Sequence, residues 1–174
     1  VGTLEPRKNI PILIEAFRRA RDIDHIPHAL VLVGGAGWQH EAVRRTVVDQ
    51  RLEDDVIFTG YVPPGQLPLW YNGADLFAYP SLYEGFGLPV LEAMACGVPT
   101  ITTATTPAVE LGAGACLTIE PEPEALHMAL IRALSDTDLR SKLRQAGPLR
   151  ARGFTWLETA RRTAAIYGSL NGYR

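Results

Sequence analysis

The sequence predicts an α/β domain, a doubly wound parallel sheet with helices on both faces. Three observations carry this. Short apolar runs of strand length alternate with amphipathic stretches of helical period along the chain. The connections between them are short, as the right-handed crossovers of parallel sheets require. The chain has 174 residues, 47% apolar and 21% charged, which suits one domain with a sizeable core.

Composition also excludes function classes. The formal net charge is −2, so no basic field points to nucleic acid. The four His are scattered without metal-ligand spacing. Cys96 and Cys116 both sit in apolar surroundings and read as buried free thiols, which fits a reducing compartment. No apolar run approaches the roughly 20 residues that span a bilayer, and no signal-peptide pattern opens the chain.

Val1-Gly2-Thr3 reads as the end of a strand already under way, so the sequence is expected to start inside a longer chain. Val1 to Asn9 gives strand end, turn and helix entry, with Asn9 as N-cap and Pro11 in the first turn. Ile10, Leu13, Ile14, Phe17 and Ala20 recur at helical spacing and form a core face. Ala29 to Val33 is an apolar strand, followed by Gly34-Gly35-Ala36-Gly37. That loop is not a good dinucleotide fingerprint: G-x-G-x-x-G would need glycine at position 40, where His40 stands. It is expected to turn the chain into a helix from about Trp38 to Arg51, with Val43 and Val47 on its buried side. Val56 to Thr59 is the next strand, Gly60 to Pro63 a loop, Gln66 to Asn72 a short helix, and Leu76 to Tyr79 a buried strand. Of Trp70, Tyr71, Phe77, Tyr79 and Tyr83, all but Tyr83 are expected in the core.

Residues 80–99, PSLYEGFGLPVLEAMACGVP, carry the chemistry. Pro80 and Ser81 end the strand. Gly85 and Gly87 give a loop where a ligand can lie against the backbone. Pro89 fits the first helical position, and Gly97 and Pro99 stop the helix. The free N–H groups around Gly87 and Leu88 then form an anion site suited to phosphate. Glu84 lies in the loop and Glu92 about one turn into the helix, so an acidic acceptor for sugar hydroxyls stands on each side of the phosphate donors.

Beyond this unit, Thr100 to Thr102 is a strand, Ala108 to Leu111 one helical turn, and Cys116 to Ile119 the last strand. A helix from Glu122 to Leu134 has Leu126, Ala129, Leu130, Ala133 and Leu134 on one stripe. Asp136 is expected to cap a further helix, closed by Gly147 and Pro148. Thr155-Trp156-Leu157-Glu158 is a capping box for the last helix, whose apolar face holds Trp156, Ala160, Ala164, Tyr167 and Leu170. The loops at 2–9, 34–37 and 81–88 all follow strands, so one crevice at the carboxyl ends of the sheet can collect them.

The E-x7-E spacing from Glu84 to Glu92, set in EGFGLPVLEAMACGVP, resembles the signature of the retaining glycosyltransferases of the GT-B fold, the family 4 or group 1 type. The resemblance covers nearly the whole chain. It implies a Rossmann-like domain, one half of a two-domain GT-B architecture. Residues 1–174 would be the C-terminal, donor-binding half, with the N-terminal acceptor domain absent. The implied activity of the full-length protein is transfer of a hexose from a nucleoside-diphosphate sugar to a glycan, lipid-linked or other acceptor hydroxyl; this chain alone would be inactive. The GTLEPRKN form of the first loop points to mannose as the sugar and GDP-mannose as the donor.

The resemblance also implies site roles. Glu84 and Lys8 would be the catalytic residues, Glu84 through hydroxyls of the transferred sugar and Lys8 through the donor diphosphate. The arginine that usually follows the loop glycine is replaced by Thr3; Arg7 either supplies that charge or is a solvated cation. Gly2 would let the backbone approach the donor, or serve a tight turn, or both. Tyr61 and Val62 would pass the nucleotide base. Gly85, Phe86, Gly87 and Leu88 would line the diphosphate, and Glu92 would hold the ribose hydroxyls. No metal or other cofactor is expected, because Lys8 and helix amides carry the phosphate charge and no D-x-D motif is present. The implied location is cytoplasmic, or peripheral at the inner face of the membrane. In the family the C-terminal helix often crosses onto the partner domain, so the last helix is expected to expose part of its apolar face or to dock it on its own domain. Two other readings stay open on this fold: a nucleotide-sugar epimerase, and a non-catalytic nucleotide-binding or assembly module.

Overall fold

The computed structural model describes residues 1–37 and 40–170. Its strands are β1 (Leu30–Val33), β2 (Val56–Gly60), β3 (Phe77–Tyr79), β4 (Thr100–Thr103) and β5 (Leu117–Ile119). Its helices are α1 (Ile10–Asp24), α2 (His40–Asp49), α3 (Leu67–Asn72), α4 (Leu88–Ala95), α5 (Ala108–Gly112), α6 (Pro123–Ser135), α7 (Thr137–Ala151) and α8 (Trp156–Leu170). Each element coincides with one expected from the apolar pattern, to within a few residues at the ends. The expected start of the second helix at Trp38 lies outside the described residues.

All strand pairs are parallel, but the strands form two sheets, β1–β2 and β3–β4–β5. A cavity of about 610 Å³ is lined by Val1 and Gly2 together with Leu32 and Val33 of β1 and Phe77 and Tyr79 of β3. Residues 1–3, expected as a strand end, contribute one ladder-like bond there, from the Gly2 N–H to the Val33 carbonyl at 2.8 Å.

Helices cover both faces. One core gathers Ile14 and Phe17 of α1, Val43 and Val47 of α2 and Leu126 and Leu130 of α6 over β1 and β2. The other gathers Tyr71 of α3, Val90 and Met94 of α4 and Leu111 of α5. Strand β3 sends Phe77 and Tyr79 into this second core and Ala78 against the first, the alternation that a pleated strand imposes. Fully buried Ile14, Leu126 and Met94 each contribute roughly 1.5–3 kcal/mol of apolar burial.

Several local expectations change. Asn9 occupies the N-cap of α1 but in a left-handed conformation (φ 53°), and its side chain makes no cap bond; the short 3-10 turn at Pro6–Lys8 delivers the chain to the helix instead. Pro89 is the second residue of α4, which begins at Leu88; its missing N–H is still among those without an intrahelical acceptor. Asp136 caps α7 as expected, its carboxylate accepting from the Leu139 N–H at 2.9 Å. The helix does not close at Gly147-Pro148 but runs through both to Ala151. Gly147 is a packing residue: a Cβ there would lie 2.9 Å from the Met94 carbonyl oxygen of α4. The Thr155 hydroxyl accepts from the Glu158 N–H at 3.1 Å, but the Glu158 carboxylate turns to Arg161 and Arg162 rather than completing the capping box. The apolar face of α8 is exposed, Trp156 by 80% and Tyr167 by 64%; the Leu170 side chain lies outside the described residues. Trp70 is exposed by 40% rather than buried, because α3 turns only its Tyr71 side into the core. Cys116 is buried and Cys96 half-buried, both free thiols.

Candidate functional site

The three expected loops do come together. Gly2 and Gly34 pack backbone to backbone, so closely that a Cβ on Gly34 would lie 2.0 Å from the Gly2 carbonyl oxygen. The Gly34 N–H donates to the Gly60 carbonyl at 3.0 Å, which brings in the loop after β2. The Leu82 N–H donates to the Arg7 carbonyl at 2.8 Å, which joins the first loop to the 81–88 loop. The crevice therefore stands at the carboxyl ends of β1, β2 and β3, as the topology of a doubly wound domain requires.

Gly87 forms the N-cap of α4 with φ 96°, a left-handed conformation that glycine adopts without strain. Among the described residues, neither the Gly87 nor the Leu88 N–H reaches a protein acceptor. They are donors at the positive end of the helix dipole. Phe86 and Leu88 are partly exposed around them, and Phe86 packs edge-on against Phe154 with ring centroids 6.3 Å apart.

Charge enters from the first loop. Lys8 is only 7% exposed, and its Nζ lies 2.7 Å from Glu84 Oε1. The Lys8 ammonium also donates to the Tyr79 hydroxyl and sits 4.5 Å from the centre of that ring. Arg7 brings its Nη1 to 2.8 Å from the same Glu84 oxygen, and its Nε to 2.9 Å from Glu5. Arg7 is thus engaged with the site rather than free in solvent. Burial alone would raise the Glu84 carboxyl, but the hydrogen bonds and charge around it, led by the Lys8 ammonium, outweigh it and hold the carboxyl below its usual range. Burial pulls the Lys8 ammonium below the ordinary lysine value; Glu84 offsets this only in part, and the like charge of Arg7 adds to the lowering. Slight burial pulls the Arg7 guanidinium down, but Glu84 and then Glu5 outweigh it and the balance is upward.

Glu92 is exposed on α4, and its Oε2 accepts from the Tyr71 hydroxyl at 2.8 Å. Tyr61 is exposed and Val62 half-buried on the loop that Gly60 ties to Gly34. Neither bonds to the Lys8–Glu84 cluster. Tyr83 is 70% exposed, as expected. Sequence reasoning assigned Tyr71 and Tyr79 to the core, and their rings are there. It missed that their hydroxyls reach Glu92 and Lys8. The signal was available: tyrosine rather than phenylalanine at a buried position implies a polar partner for the hydroxyl.

A depression of about 730 Å³ on the opposite, amino-terminal side of β1 and β2, bordered by Arg18, Arg21, Asp22 and Asp55, takes no part in this cluster. Among the described residues, no group of three or more His, Cys, Asp or Glu is placed to hold a metal ion, and no helix is long and apolar enough to cross a membrane.

The family model of the glycosyl transferases group 1 matches residues 1–150. The chain belongs to that family. O-antigen chain mannosyltransferase B of Escherichia coli is 35% identical over 168 residues, covering 96% of this chain and 44% of that protein. Sucrose-phosphate synthase from Thermosynechococcus elongatus superposes with a TM-score of 0.85 at 29% identity, over 99% of this chain and 45% of that one. The C-terminal domain of a group 1 family protein from Francisella tularensis superposes with a TM-score of 0.76 at 26% identity, over 88% of this chain and 82% of that one. The chain spans less than half the length of the curated relatives it matches. Family membership and the Rossmann-like GT-B fold class, both expected from the sequence, are borne out.

Proposed function

We propose that this group 1 chain is the C-terminal, donor-binding domain of a retaining glycosyltransferase. The full-length protein transfers a hexose, mannose by preference, from a nucleoside-diphosphate sugar to a glycan or lipid-linked hydroxyl. The observation that carries the reading is Lys8 reaching Glu84 at 2.7 Å. It joins two stretches 76 residues apart into one cluster on the same loop that ends in the Gly87 and Leu88 amides of α4. The mannosyltransferase name of the E. coli relative supports the choice of sugar.

In this reading the diphosphate lies against the Gly87 and Leu88 amides and takes Lys8 and Arg7 as counter-charges. As the bond to the anomeric carbon breaks, negative charge grows on the leaving phosphate, and preorganised donors of this kind are worth roughly 3 kcal/mol each. Glu84, relieved of part of its pairing, receives hydroxyls of the transferred sugar, and Glu92 receives those of the ribose. The acceptor hydroxyl attacks from the face that the phosphate leaves and gives its proton to the departing phosphate oxygen. Gly2 gives the donor its close approach to the backbone, and Tyr61 and Val62 border the base. The charge on the phosphate is met by side chains and amides, so the reading calls for no metal.

Calorimetric titration of this chain with GDP, UDP, ADP and NAD tests it, alongside Glu92→Ala and Lys8→Ala. The expected result is binding of one nucleoside diphosphate, weakened by both substitutions. A preference for NAD, or nucleotide binding indifferent to both substitutions, would overturn the assignment.

A further inference from the structure

Glu92 is exposed and carries a flexible side chain, a poor basis for reading a sugar unless something fixes it. Tyr71 is 3% exposed and packs edge-on against Phe77, ring centroids 5.4 Å apart and planes at 76°. Its ring cannot move without disturbing the second core. Its hydroxyl therefore has a fixed position, and from there it donates to Glu92 Oε2 at 2.8 Å. Among the described residues no other group bonds to the Glu92 carboxylate, which leaves Oε1 and the second lone pair of Oε2 for a ligand. We propose that Tyr71 is a positioning residue for ribose recognition, holding the Glu92 carboxylate in the orientation that accepts the two ribose hydroxyls of a nucleoside diphosphate. The inference rests on the donor-binding reading above and extends it to a residue on a different helix, 21 positions away.

The chemistry favours a fixed donor. Burial, and then the hydrogen bond and charge of Glu92, push the Tyr71 phenol well above its ordinary range, so it stays protonated and can only donate to the carboxylate. Replacing the hydroxyl by hydrogen leaves the ring packing intact and leaves Glu92 in water, so a Tyr71→Phe chain keeps its fold. A purely structural role for the hydroxyl would show itself in stability. A positioning role shows itself in the discrimination between ribose and deoxyribose.

The test is titration of wild type, Tyr71→Phe, Glu92→Ala and the double variant with the preferred ribonucleoside diphosphate and its 2′-deoxy and 3′-deoxy analogues, with thermal unfolding of each. Wild type is expected to prefer the ribonucleotide about tenfold, one lost hydrogen bond to a charged group. Tyr71→Phe should weaken ribonucleotide binding about fivefold and shrink the preference to about twofold. In the Glu92→Ala background the same change should have no further effect, because the two residues act through one contact. An undiminished preference in Tyr71→Phe, or additive losses in the double variant, would overturn the positioning role while leaving the donor-binding reading standing. A wild type that binds nucleotide without telling ribose from deoxyribose would also overturn the positioning role, and one that binds none would overturn both.

Discussion

Substituting Lys8 by methionine separates what this side chain does for the fold from what it does for a ligand. Methionine keeps the length of the stem and removes the ammonium. A buried carboxylate deprived of its partner ordinarily costs about 3–5 kcal/mol. Here Glu84 is not orphaned, because Arg7 Nη1 remains 2.8 Å from the same oxygen. The desolvation that lowers the Lys8 pKa is also relieved when the charge is gone. The stability loss should therefore be about 1 kcal/mol, a shift of roughly 2–4 °C in melting temperature for a domain of this size. Affinity for a nucleoside diphosphate should fall far more. A charge-assisted contact to phosphate is worth roughly 2–3 kcal/mol, a loss of about 30- to 150-fold. Urea unfolding and calorimetric titration on the same preparations measure the two quantities. Destabilisation above about 3 kcal/mol with unchanged nucleotide affinity would refute the reasoning and make Lys8 a structural counter-ion of Glu84.

Because Glu84 is held below its usual value, its contribution to stability is present above pH 4.5, the ordinary value, and drains away as pH falls through its depressed value in the folded state. Urea midpoints should fall more steeply below that pH for wild type than for Glu84→Gln, and equal slopes would count against the ion pair. Gly34→Ala forces a Cβ to within 2.0 Å of the Gly2 carbonyl oxygen at a φ of +148°; a loss above roughly 3 kcal/mol is expected, visible as a lowered unfolding midpoint. Asp136→Ala removes the α7 cap and should cost about 1 kcal/mol in the same assay while nucleotide binding is unchanged, which makes it a control for general destabilisation.

The elements were legible because each carries a strong local signal. Leu13, Ile14, Phe17 and Ala20 repeat at helical period and are all buried, and the strands are short apolar runs between turn residues. The charge-bearing loops were legible through their position after strands. What local pattern could not supply was long-range packing. Gly147 and Pro148 look like a helix stop, but the first is there for the contact with Met94, and that contact keeps the helix going. The Lys8–Tyr79 and Glu92–Tyr71 bonds span 71 and 21 positions; only the choice of tyrosine over phenylalanine hinted at them.

Residues 2–9 touch both sheets: Gly2 bonds to Val33 of β1, Arg7 accepts from Leu82 just beyond β3, and Lys8 reaches Tyr79 on β3 itself. This short segment is therefore the tie between the loops that follow β1 and β3. A molecule that grips Lys8 and the neighbouring amides tightens that tie from outside. Ligand affinity and the local stability of the crevice are then one property, and amide exchange in the 2–9, 34–37 and 81–88 loops should slow together when the crevice is filled.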